Sequence, residues 1–134
     1  MASTTLMQGI QVYLKTVAAL KTYISDRIYW LSAPDGTADP YVTYHGVTQD
    51  NTGAEIGEDK DSVALVQFDI WSTNQYKALN IANVLITTLQ EYSGSLDGIN
   101  VLKATTSGPI QTRDPDFDHM FHFIVDVDFN FYRK

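Results

Sequence analysis

Phe121-His122-Phe123-Ile124-Val125-Asp126-Val127-Asp128-Phe129-Asn130-Phe131-Tyr132 alternates bulky apolar residues with polar ones along its length. Successive side chains on a strand point to opposite faces. Phe121, Phe123, Val125, Val127, Phe129 and Phe131 therefore share one face, and His122, Asp126, Asp128 and Asn130 share the other. A slip of one residue would put every aromatic into water, so the pattern fixes register as well as strand type. The reading is a half-buried strand from His119 to Tyr132, with a core on one side only.

Ser62 to Trp71 repeats the signal. Ala64, Val66, Phe68 and Ile70 face one way, and Leu65, Gln67, Asp69 and Trp71 face the other. Ile99 to Thr112 reads as a third strand, entered through Asp97-Gly98 and interrupted near Gly108-Pro109, where proline demands an edge, a bulge or a strand end. Tyr41 to Val47 is a fourth, introduced by Pro40, and Arg27 to Leu31 is a short β segment before the turn Ala33-Pro34-Asp35-Gly36. Leu6, Ile10, Tyr13, Val17, Leu20 and Ile24 recur at helical spacing, which predicts one helix from Thr5 to Ile24, opened by a Thr5–Gln8 capping box. Ser72 and Gln75 give a second capping-box signature. A helix through Tyr92 follows, with Ala78, Ala82, Leu85 and Leu89 on its stripe and Gly94 placed to end it. Thr48 to Asp61 has almost no apolar anchor and reads as a long loop. The fold class expected is α+β: a two-layer sandwich, with a mostly antiparallel sheet of about four strands and two helices packed on one face. Nothing in residues 1–134 suggests a second domain.

Composition narrows the chemistry. The 134 residues hold no cysteine, which removes disulfides, thiolate metal sites and thiol nucleophiles together. Nine Lys and Arg stand against 16 Asp and Glu, a net charge of −7, which opposes a groove that grips nucleic-acid phosphates. The acid is localised. Residues 31–62 balance to −6, residues 63–134 to −3, and residues 1–30 to +2. No run reaches 18 apolar residues, so no membrane helix is expected. Met1 to Thr5 lacks the features of a signal peptide, so a cytosolic setting is the expectation.

The polar face of the last strand is the place where chemistry would sit. His122, Asp126 and Asp128 point one way and Asp69 can join them; alternate strand residues lie roughly 6.5–7 Å apart, within range of a carboxylate pair. An acid–base pair or a divalent-cation site, as in a small metal-dependent hydrolase, is the sharp reading. The plainer reading, which the residues favour, is a solvated or subunit-contacting sheet face. His45 and His119 have no partner at ligand spacing. No G-x-S-x-G elbow or phosphate-cradling loop occurs, and Gly53 and Gly57 sit among acids. The chain does not read as an enzyme, and no cofactor or metal is expected. Leu65, Trp71, Met120, Ile124 and Tyr132 interrupt the acids on that face, as apolar groups do in a partner surface.

Asp26-Arg27-Ile28-Tyr29, Ala33-Pro34-Asp35-Gly36, Pro40-Tyr41-Val42-Thr43-Tyr44, Val66-Gln67-Phe68-Asp69-Ile70-Trp71, the helix through Ala78 and Ala82, and Phe123-Ile124-Val125-Asp126-Val127-Asp128-Phe129 follow one another in a specific order. In that order they resemble the tail terminator, or tail-completion, proteins of long-tailed bacteriophages, across nearly the whole chain. The resemblance implies a virion protein that assembles as a hexameric ring at the head-proximal end of the tail. Assembly would take place in the host cytoplasm. Such a ring caps the tail tube, stops its polymerisation and offers a docking face to the head; a neck or head-closure component is the neighbouring possibility. Implied partners are further copies of the chain, the tail tube protein and a head-completion or neck protein, with DNA passing the lumen unheld. The expected interface residues are Asp50, Glu55, Ile56, Glu58 and Asp59 in the loop, with Leu65, Asp69, Trp71, Ile124, Asp126 and Asp128 on the open sheet face.

Overall fold

The computed structural model describes residues 5–50, 62–112 and 120–133. Its elements in chain order are α1 (Leu6–Leu14), α2 (Ala18–Ile24), β1 (Ile28–Trp30), β2 (Tyr41–Asp50), β3 (Ser62–Ser72), α3 (Gln75–Leu89), β4 (Gly94–Leu96), β5 (Ile99–Thr112) and β6 (Phe121–Arg133). The strands form one sheet in the order β1-β2-β3-β6-β5-β4. β1 runs parallel to β2, and every other neighbouring pair is antiparallel.

This corrects the expected architecture. Six described strands make one mixed sheet curled into a half-barrel with three helices, not a two-layer sandwich of about four strands and two helices. Three local causes account for the difference. The predicted Thr5–Ile24 helix is broken, because Thr16 turns its hydroxyl onto the Tyr13 carbonyl and Val17 takes an extended backbone (φ −81, ψ 110) that restarts the chain as α2. β-branched neighbours lose rotamer freedom in a helix and give way here. The second helix stops at Leu89 rather than Tyr92: Gln90 is extended, Glu91 has φ 61, and Gly94 opens β4 instead of capping a helix. The β segment after α2 pairs parallel with β2, which a pattern of apolar residues does not reveal. The Thr5–Gln8 capping box is present, with Gln8 N–H donating to Thr5 Oγ1 and Thr5 N–H to Gln8 Oε1. At α3 the cap is Asn74, whose Oδ1 accepts from the Tyr76 and Lys77 N–H groups, not the Ser72–Gln75 pair. β2 continues through Thr48 to Asp50, so the first three residues of the expected Thr48–Asp61 loop are strand, and residues 51–61 lie outside the described residues.

α1 explains the curl. It packs against both β1 and β4, the two outermost strands of the sheet. Five interstrand gaps of about 4.8 Å would separate those edges by roughly 24 Å if the sheet were flat. A helix is only about 10–12 Å across with its side chains, so the sheet must wrap around it. The contacts are specific at each edge. Gln11 Nε2 donates to the Ile28 carbonyl at 2.9 Å, and Gly9 lies so close to β4 that a Cβ there would stand 2.4 Å from the Leu96 oxygen. The Tyr44 hydroxyl, fully buried, donates to the Met7 carbonyl.

The core lies between this inner sheet face and the helices. Val42 and Tyr44 from β2, Ala64, Val66, Phe68 and Ile70 from β3, and Val125, Val127 and Phe129 from β6 are each 0% exposed. The helices add Ile10, Leu14, Leu20, Ile24, Ile81 and Leu85. Both alternating strands bury the face their sequence marks, and their register sets Val66 opposite Val127 and Phe68 opposite Val125. The interruption at Gly108-Pro109 is a register shift between Ser107 and Ile110 in the pairing of β5 with β6.

Candidate functional site

The opposite, outer face of the sheet carries the chemistry-bearing side chains, and strand register arranges them in rows. Tyr41, Trp71, His122 and Thr112 make one row across β2, β3, β6 and β5; Thr43, Asp69, Ile124 and Ile110 make the next. A third row holds His45, Gln67, Asp126 and Ser107, and a fourth places Leu65 against Asp128 and Thr105. In the first row the His122 ring stacks on Trp71 with centroids 3.9 Å apart and planes 9° from parallel. Tyr41 lies beyond Trp71 at 6.4 Å, and Trp71 Nε1 donates to Thr43 Oγ1 at 3.3 Å.

Asp69 is the polar centre of this face. It is 7% exposed and, among the described residues, is the buried carboxylate, the other buried polar residues being the hydroxyl-bearing Thr43 and Ser72. His122 Nε2 meets its Oδ1 at 2.7 Å, Gln67 Nε2 donates to the same oxygen at 2.9 Å, and His45 Nδ1 stands 3.7 Å from Oδ2. An ionised carboxylate only accepts, so with Asp69 charged His122 donates through Nε2. Its other nitrogen, Nδ1, sits 2.9 Å from the Thr112 hydroxyl. Asp69, His122 and Thr112 thus link β3, β6 and β5 by side chains alone, and stripping one partner from such a buried carboxylate costs about 1–3 kcal/mol.

Asp126 lies one row away in a different setting. Burial, followed by the negative charges of Asp69 and Asp128, raises its carboxyl above the ordinary range, with His45 opposing. Its Oδ1 is sealed from solvent without a hydrogen-bond partner among the described residues. A neighbouring open groove of about 370 Å³ runs between the 31–37 turn and Tyr41, Thr43 and Trp71.

The sequence-predicted residues separate into groups. Leu65, Asp69, Trp71, Ile124, Asp126 and Asp128 do share this face, on the adjacent strands β3 and β6. Asp50 ends β2, and Glu55, Ile56, Glu58 and Asp59 lie outside the described residues. The hydrolase trio does not converge: His122 turns to Asp69, and the four strand positions between His122 and Asp126 span roughly 13 Å. Among the described residues no group of three or more His, Asp or Glu is arranged to hold a metal ion. Sequence reasoning did not find His45, Gln67 and Thr112 as partners of this cluster. Only the pairing of β2 with β3 and of β5 with β6 brings them there, and no local motif announces it.

Comparison with known proteins fits this geometry. The profile of the tail completion protein gp17 family matches residues 8–132. Among curated proteins no sequence matches significantly. Among solved structures, a chain in the virion of a native gene transfer agent particle shares the fold with a TM-score of 0.67 at 16% identity, over 92% of this chain and 93% of that one. A second solved structure, which carries no functional description, superposes with a TM-score of 0.55 at 14% identity over 98% of this chain and all of the other. The match over nearly the full length places the chain in the tail completion protein gp17 family, the structural proteins of phage tails.

Proposed function

We propose that this protein caps the phage tail tube as a hexameric ring, ends tube polymerisation and presents the surface to which the head is joined. The observation that carries the reading is the family match over residues 8–132. Two physical features support it. A net charge of −7 per copy lets DNA cross a lumen without the phosphate contacts that release counterions and hold nucleic acid. The outer sheet face, with Leu65, Trp71 and Ile124 set among Asp69, Asp126 and Asp128, has the mixture of apolar centre and polar surround found at assembly contacts.

In this reading the chain's activity is assembly. It acts at the head-proximal end of the tail, contacting its own copies, the tube protein and a head-completion or neck protein, after folding in the host cytoplasm. The test is electron microscopy of the purified protein mixed with tube subunits. Tubes of limited length bearing a six-fold ring at one end are the expected outcome; unlimited bare tubes would overturn the proposal. Solution mass does not substitute for this experiment, because a ring that binds its template can form only there.

A further inference from the structure

We propose that copies of this chain meet head to tail, the exposed side of α1 and α2 in one copy seating on the outer sheet face of the next. The surfaces named are Val12, Lys15 and Lys21 on the helices and Ile124, Asp126 and Asp128 on the sheet. The inference rests on the ring reading and adds which faces touch.

Strand edges are poor candidates for the contact. At one edge Gln11 Nε2 occupies the Ile28 carbonyl. Along β5, beyond the short β4, Gln90 Oε1 takes the Thr106 N–H at 2.8 Å, the backbone of Glu91 and Tyr92 pairs with Ala104, and Pro109 has no N–H to offer. Edges closed in this way resist pairing with another chain. A ring that closes by rotation also needs two different patches, since a self-complementary patch yields only a dimer. Copies must then meet through faces.

Charge selects which faces. α1, α2 and α3 contain no Asp or Glu, and Lys15 and Lys21 sit at the end of α1 and within α2. Neither lysine forms an ion pair among the described residues, where the pairs found join histidines to Asp69. The outer sheet face holds Asp69, Asp126 and Asp128. In a chain of net charge −7, copies repel unless the contact sets a basic surface against an acidic one. Each surface also supplies apolar area: Val12 is 46% exposed on α1, and Ile110 is 55% exposed beside Ile124 on the sheet. A head-to-tail contact satisfies both conditions at every junction of a ring.

The test is charge exchange, read by electron microscopy on tube subunits. K15E/K21E and D126K/D128K each place like charges at every junction, so each alone is expected to lose ring formation at least tenfold. An equimolar mixture restores matched charges at every junction of an alternating ring, which six positions allow. The quadruple variant K15E/K21E/D126K/D128K restores them within one chain. Recovery of rings in the mixture and in the quadruple variant is the expected result. Circular dichroism and the thermal midpoint establish folding; where the sheet pair impairs it, K21E and D128K repeat the design at the exposed positions of each pair. Rings formed by each charge-reversed variant alone, as by wild type, would overturn the contact and leave the ring reading intact. Loss in both without recovery would also overturn the pairing. Wild type that forms no ring on tubes would overturn both readings.

Discussion

Replacing Gly9 with alanine sets two effects of opposite sign against each other. Alanine is the better helix former by about 1 kcal/mol, so propensity alone predicts a more stable protein. The structure predicts the reverse. A Cβ at position 9 would stand 2.4 Å from the Leu96 oxygen, 3.2 Å from its carbonyl carbon and 3.3 Å from its Cβ. The first distance is roughly 1 Å short of ordinary van der Waals contact, and the atom it meets is backbone rather than a movable side-chain end. Either α1 lifts from β4 or β4 leaves β5, and overpacking of this kind costs typically 1–3 kcal/mol. With Leu6, Met7, Ile10 and Leu14 all buried by the same helix, the upper part of that range applies. Subtracting the propensity gain leaves a loss of about 1–2 kcal/mol, or a fall of about 3–10 °C in thermal midpoint for a chain of this length. Urea unfolding followed by circular dichroism gives the free energy, with an unchanged m-value showing that the native state remains compact. Gly46→Ala is the control, because a Cβ there meets only Met7 Cε at 3.4 Å; relief of strand entropy should leave it neutral or stabilised by up to about 1 kcal/mol. A Gly9→Ala protein as stable as wild type, or more so, would refute the account of α1 as a helix pressed onto the β4 backbone.

Three further outcomes follow from side-chain geometry. Asn74→Ala removes the acceptor for the Tyr76 and Lys77 N–H groups, so α3 should lose about 1 kcal/mol in the same urea assay, and Asn74→Asp should recover most of it. Asp126→Asn acts through pH. The folded-state pKa of Asp126 lies above the ordinary 3.8, so its ionisation withdraws stability as pH rises through the folded value. The amide variant should therefore melt higher than wild type at neutral pH, with the gain vanishing below 3.8; a constant difference across the titration would show that ionisation of a carboxyl penalised by burial and by the charges of Asp69 and Asp128 is not the cause. Asp39 moves in the other direction: hydrogen bonds from Thr73 and Ser72 and the charge of Lys77 outweigh its burial and lower its pKa, so its contribution is present at neutral pH and lost on acidification.

Much of the fold is written in local pattern. The alternation in β3 and β6 gives their inner faces residue by residue, because a strand with one wet face has only one register that keeps its aromatics dry. The Thr5–Gln8 capping box and the interruption at Pro109 are equally local and equally legible. What escaped is either too short to show a pattern or depends on distant partners. β1 and β4 are three residues each, too few for alternation to be read; β4 pairs with the adjacent start of β5 through the Asp97-Gly98 turn, whereas β1 pairs with β2 across the 31–40 segment. The break at Thr16-Val17 escapes periodicity because α1 and α2 continue one helical stripe on either side of it. The candidate face shows the same division. Asp69, Asp126, Asp128 and His122 are visible from alternation alone. That Asp69 is buried and gripped by His122 and Gln67, with His45 beside it, is a property of register between three strands, β2, β3 and β6.

Because α1 touches both rims of the sheet, the outer face is the convex side of a shell braced from within. Its curvature is not free to follow whatever docks there: flattening the shell would tear α1 from one rim, and tightening it would drive the helix into Leu96. A partner surface shaped to this convexity therefore recognises, at second hand, residues it never touches, Gly9 and Gln11 foremost. Sequence change at those inner positions would alter the fit of the assembly while leaving every contacting side chain in place.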